Sequence, residues 1–194
     1  MDFISDYFLK FSKNCLNIPY AKIKTLVEEL RILRHNNGRL FILGVGGSAG
    51  NASHAVNDFR KLCNIEAYAP TDNVSELTAR TNDEGFDTIF SEYLKVSKIN
   101  SKDAIMIFSV GGGSLEKNVS LNLISAIKEA KAEQLKIFSI LGKEDGYAAN
   151  NSDISIVIPV QDKTLITPMS EAFQAVIWHC IVSHPSLALN LTKW

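Results

Sequence analysis

An α/β fold with a largely parallel sheet between helical layers is what the sequence predicts, and three observations carry that expectation. A short apolar strand runs into a glycine-rich turn and then a helix within 39–62, the same unit returns within 103–133, and two more short apolar runs follow at 136–142 and 154–159. Strands and helices that alternate in this way form a parallel sheet whose ligands sit at the carboxyl ends of the strands. A chain of 194 residues fits one domain with a sizeable core, so 1–194 reads as one unit, with 1–37 as an N-terminal helical extension.

Taken in order, Phe3, Tyr7, Phe8 and Phe11 recur at helical spacing within 3–14, and Ile23, Leu26, Val27, Leu30 and Leu33 do so within 19–36. Two amphipathic helices therefore come first. Gly38 ends the second, and RLFILG at 39–44 is apolar but too short for a helix, as suits a strand covered on both faces. Ser48 is placed as the N-cap of the next helix, in which Ala49, Ala52, Ala55, Val56 and Phe59 continue to about Leu62. Residues 71–99 hold a polar loop or short helix and then an amphipathic helix from Phe86. The second unit has its strand at 104–109, glycines at 111–113 and a helix from near Ser114. The final helix, PMSEAFQAVIWHCIVS, is apolar nearly all round and is expected to be buried in the core or in a subunit interface.

Composition narrows the partners. Lys and Arg number 20 against 21 Asp and Glu with no basic cluster, so neither nucleic acid nor a membrane surface is expected. Cys15, Cys63 and Cys180 are odd in number, far apart and without a CxxC pair, and read as buried thiols of a reducing compartment. The start, MDFISDYFLKFSKN, includes acidic residues, and no stretch is expected to reach the roughly 18 apolar residues of a membrane span. A cytoplasmic protein is expected.

The glycine loops carry the chemistry. GVGGS at 44–48 lacks the lysine of a nucleotide phosphate loop. Gly44, Gly46 and Ala49 meet a dinucleotide fingerprint only if alanine is admitted at the last place, and the acidic residue further on, Glu66, falls inside a short strand rather than at its end. A nucleotide is disfavoured. Alone, either loop reads as a tight turn with an ordinary serine cap. As a pair, SVGGGS at 109–114 and the first loop can face one another across the sheet and offer N–H groups, hydroxyls and helix N-termini to one phosphate.

Four segments, GVGGSAGNASH (44–54), TDNVSELTARTND (71–83), FSVGGGSLEKNV (108–119) and TPMSEAFQAVIWH (167–179), resemble those of sugar isomerase (SIS) domains and, among them, the phosphoheptose isomerases. The resemblance covers about residues 20–183. It implies a three-layer α-β-α sandwich with a flavodoxin-like sheet, and a homotetramer built on the terminal helices with active sites between subunits. It also implies conversion of sedoheptulose 7-phosphate to D-glycero-D-manno-heptose 7-phosphate, a heptose precursor. Ser48, Ser109 and Ser114 would then bind phosphate, Asp83 would contact the sugar, and Gly47, Asn51, Gly111 and Glu171 would complete the substrate site. His54, Asp58, Glu171 and His179 would surround a zinc ion or the reacting carbons. The family usually has asparagine, glutamate and glutamine where this chain has Val45, Asp58 and Glu171, and a second loop richer in hydroxyls, so phosphate contacts here are expected to rely more on backbone N–H groups.

Such an isomerase moves a proton between adjacent carbons and needs a base, a group that handles hydroxyl protons, and stabilisation of the enediolate. His54 and Asp58, four residues apart, share one helical face. Glu171 and His179 would have Cα atoms about 12 Å apart on a regular helix, near the limit for sharing one zinc through bonds of about 2 Å. Asp58 is assigned as base and His179 as its partner acid or base, with Glu171 offsetting the shorter reach of aspartate. Against these roles, a lone helical histidine is often structural, and His179 within AVIWHCIV needs a polar partner if buried. His35 and His184 read as structural or exposed, Trp178 and Phe173 as packing residues. The rival from another class is a non-catalytic SIS protein that binds a sugar phosphate or a replication-initiation partner. The changes at 58 and 171 favour it; acid–base groups at all four positions oppose it.

Overall fold

A computed structural model describes residues 2–192. Its sheet contains Leu40–Leu43 (β1), Ala67–Tyr68 (β2), Ala104–Ser109 (β3), Lys136–Leu141 (β4) and Ile154–Val157 (β5), all parallel and in the order β2-β1-β3-β4-β5. Leu40 stands beside Ala104, and Ala104 beside Lys136. The order reverses between β1 and β3, which opens a crevice at their carboxyl ends. Both glycine loops leave the sheet there.

Around the sheet, the described residues form Phe3–Leu16 (α1), Tyr20–His35 (α2), Gly47–Cys63 (α3), Val74–Asp83 (α4), Ile89–Val96 (α5), Leu121–Ala132 (α6), Tyr147–Asn151 (α7) and Ile166–Val182 (α8). Successive strand residues face opposite ways, and burial follows that alternation. Leu40, Ile42, Met106, Phe108 and Ile140 pack with α2, α3 and α8, whereas Phe41, Leu43, Ile105, Ile107 and Ile137 pack with α5 and α6. The expected three layers result. The first helix lies outside them, where Phe11 stacks on Phe173 of α8 at 4.4 Å and Lys10 pairs with Asp162 at 2.8 Å.

Several expectations need correction. Ser48 is not an N-cap: Gly46, at φ 63°, occupies that place, and α3 begins at Gly47 with no side-chain cap. No helix starts at Ser114. Gly112 and Gly113, at φ 72° and 84°, turn the chain into a small loop in which Ser114 bridges to Val119, and α6 waits until Leu121. The Ser114 hydroxyl instead accepts from the Lys117 N–H. Residues 86–88 form a 3-10 turn before α5, and Glu66 precedes β2 rather than lying within it.

Of the three thiols only Cys63 is buried; Cys15 is half-buried and Cys180 exposed. Lys163–Val182 is long and apolar enough, by length and composition, to cross a membrane. No such stretch was expected, because Glu171, Gln174 and His179 break its apolar run. One face of α8, from Met169 and Phe173 to Ile177 and Ile181, is nevertheless buried in the core.

Candidate active site

Packing of α3 against α8 creates the site. Gly46 has no side chain to cap α3, so the first N–H groups of that helix look into the crevice without a side-chain acceptor. A Cβ on Gly46 or on Gly111 would meet nothing within 4 Å, so both loops border open space. Gly47 differs. A Cβ there would stand 2.6 Å from the Glu171 carboxylate, which lies flat against the start of α3. A negative side chain is favoured by the helix dipole at that place.

About two and three turns further along α3, His54 and Asp58 project towards His179 of α8. Asp58 Oδ2 lies 3.9 Å from His54 Nε2 and 3.6 Å from His179 Nε2, and the candidate ligand atoms of the three residues are all within 4.8 Å of one another. The two imidazoles stand nearly at right angles, 83°, with centroids 5.4 Å apart. Trp178, fully buried, meets the His54 ring edge-on at 4.7 Å and gives it a fixed wall. Glu171 is not part of this group, although sequence spacing had allowed it there.

Hydrogen bonding fixes what the group can do. His179 Nδ1 lies 2.8 Å from the Ala175 carbonyl, which can only accept, so Nδ1 carries the proton and Nε2 of the neutral ring is a lone-pair donor. Asp58 Oδ2 is also an acceptor. Two acceptors 3.6 Å apart, with His54 beside them, suit a shared proton or cation. The donor set thus fits a zinc ion, with His54, Asp58 and His179 as the holding residues. Asp58 is oriented from its other oxygen by Asn57 Nδ2 at 2.9 Å. At the end of α3, burial pushes the Cys63 thiol up to about 11, with Arg34 opposing and Asp58 adding a little, so Cys63 stays protonated and offers no thiolate.

The remaining expected residues divide. Ser109 ends β3 and its hydroxyl accepts from the Gly112 N–H at 3.0 Å, leaving its own hydrogen for another acceptor. The Ser114 N–H goes to the Val119 carbonyl, so two N–H groups of the second loop serve the loop itself. Asn51 spends both amide hydrogens on α8, on the Glu171 carbonyl and on Gln174, each at 2.9 Å. Its oxygen remains as an acceptor. Asp83 closes α4, exposed, with its carboxylate held by Asn82 at 2.7 Å.

Two features were missed in the sequence. Gln174, fully buried, joins Ser48 to Asn51, and the one available signal was an amide in an otherwise apolar stretch of α8. The short helix α7 gave no periodic signal, yet its Tyr147 and Ala148 N–H groups hold the Gly113 and Gly112 carbonyls at 2.9 and 2.8 Å. It clamps the second loop.

A family model described as the SIS domain matches residues 11–142. The lincomycin biosynthesis protein LmbN of Streptomyces lincolnensis is 31% identical over 157 residues, 77% of this chain, which spans only 57% of that protein's length. A phosphoheptose isomerase of Helicobacter pylori (strain P12) is 27% identical over 177 residues, 89% of this chain and 88% of that one. Among solved structures, a phosphoheptose isomerase from Francisella tularensis superposes with a TM-score of 0.80 at 23% identity, covering 94% of this chain and 97% of the other.

Proposed function

The chain belongs to the SIS domain family, and from that premise we propose that it is a sugar-phosphate aldose–ketose isomerase acting on sedoheptulose 7-phosphate. The observation that carries the reading is Asp58 standing between two imidazoles on the helix that leaves the first glycine loop at the switch point of the sheet. Relatives named as phosphoheptose isomerases support it.

In this reading the phosphate lies between the loops and accepts from the Ser48, Ser109 and Ser114 hydroxyls. The α3 N-terminus, aligned with that charge, adds to its binding. The Asn51 oxygen and Asp83 receive sugar hydroxyls. Asp58 removes a proton from the carbon beside the carbonyl, and His179, whose Nε2 is free to take and return a proton, serves the oxygens. Where His54, Asp58 and His179 instead hold a zinc ion, the metal would supply positive charge to stabilise the enediolate, and His179 Nε2 would be spent on it rather than on the proton.

The three-residue group opens at the surface, with the His54 and His179 side chains 59% and 49% exposed. A homotetramer with a neighbouring subunit over this face would exclude water from the proton transfer. Incubation with sedoheptulose 7-phosphate tests the reading, with the aldose phosphate followed by carbon NMR. Product in equilibrium with the ketose is expected; binding without product would favour the non-catalytic sugar-phosphate protein.

A further inference from the structure

Ser48 sits in the first turn of α3, 2% exposed, and its hydroxyl oxygen accepts from Gln174 Nε2 at 3.1 Å. The polarity of this contact follows from a chain of constraints. The Glu171 carbonyl can only accept, so Asn51 must present its amide nitrogen to it, at 2.9 Å. The same nitrogen then faces Gln174 Oε1 at 2.9 Å, so Gln174 turns its oxygen to Asn51 and its nitrogen to Ser48. Ser48 is left with no choice but to accept. Its single hydrogen has no acceptor among the described residues, and a buried hydroxyl hydrogen is costly to leave unpaired.

We propose that Gln174 is a positioning residue that fixes the buried Ser48 hydroxyl as a donor aimed at an anionic ligand oxygen, through a relay whose direction is set by the Glu171 carbonyl and Asn51. This assignment rests on the sugar-phosphate reading above. Its consequence is selectivity: the first loop favours an oxygen that only accepts, such as an ionised phosphate, over an ammonium group that can only donate.

Binding of inorganic phosphate, titrated by calorimetry on the full chain, tests this without turnover. In Gln174→Glu the carboxylate accepts from both Asn51 and Ser48, the Ser48 hydrogen turns inward, and phosphate affinity is expected to fall at least about tenfold. Gln174→Met leaves the hydroxyl free to rotate or to bond back along the helix, and should weaken binding less, by about threefold; it carries the test if the buried glutamate prevents folding. Made in a Ser48→Ala background, the uncharged Gln174→Met should cost nothing further. An equal loss with and without Ser48, or unchanged affinity in the Gln174 variants, would overturn the assignment while leaving the sugar-phosphate reading intact. If the unaltered chain binds neither inorganic phosphate nor sedoheptulose 7-phosphate, that reading falls and the assignment falls with it.

Discussion

At Asp58, the reach of one side chain decides whether the site can do proton chemistry. Its carboxylate meets Asn57 and the two imidazoles, and its side chain is only 13% exposed. Asp58→Asn keeps the shape and removes the base, so kcat should fall by about 10² to 10⁴-fold, with the melting temperature nearly unchanged; turnover within twofold of the parent would remove Asp58 from the mechanism. The pairing of His54 with Asp58 was legible because four residues on a helix make neighbours. The arrival of His179 was legible only through the resemblance to SIS domains, because it depends on how α8 packs on α3. Glu171 shows the limit most clearly. Its spacing from His179 allowed a shared ion, but the space above Gly47, visible only after folding, takes the carboxylate instead.

Elements were easier to read where a period ran long enough. The strand at 104–109 and the buried apolar face of α2 stand as periodicity implies, and α1 forms where expected although Phe3 and Phe8 stay exposed. The second loop did not, because Ser114 can cap a turn as well as a helix, and the left-handed glycines at 112 and 113 chose the turn. The docking of α1 yields a pH prediction. The Lys10 ammonium, helped by Thr164, holds Asp162 down to about 2, below its ordinary 3.8. That contribution is present above about pH 4 and is lost as pH falls through 2. Lys10 is raised in turn, chiefly by Asp162, so its share persists through neutral pH and fails only in strong alkali. Asp162→Asn should therefore reproduce at pH 7 the amide NMR shifts that α1 of the parent shows on acidification from 4 to 2, while β3 stays put. Unmoved α1 signals in the variant would show that Phe11 on Phe173 alone docks the helix.

For the whole molecule, the parallel order and its switch point follow from two strand–turn–helix units and the handedness of their crossovers, which is why the architecture was readable from a single sequence. Assembly is a different matter, since no pattern in one chain distinguishes an apolar face meant for its own core from one meant for a copy. Phe3, Ile4 and Phe8 of α1 are 65–72% exposed, and Val176, three residues before His179 on α8, is 45% exposed. Light scattering should give a mass of four chains at micromolar concentration, and a monomer there would remove the shared site. Proton transfer itself is tested most directly in heavy water. The chain is incubated with sedoheptulose 7-phosphate, with and without added zinc, and the hydrogen on the carbon beside the carbonyl is followed by proton NMR. Deuterium is expected at that carbon as aldose phosphate forms, with both abolished in Asp58→Asn. Tight binding of the sugar phosphate with neither exchange nor product, in zinc or without it, would contradict that expectation.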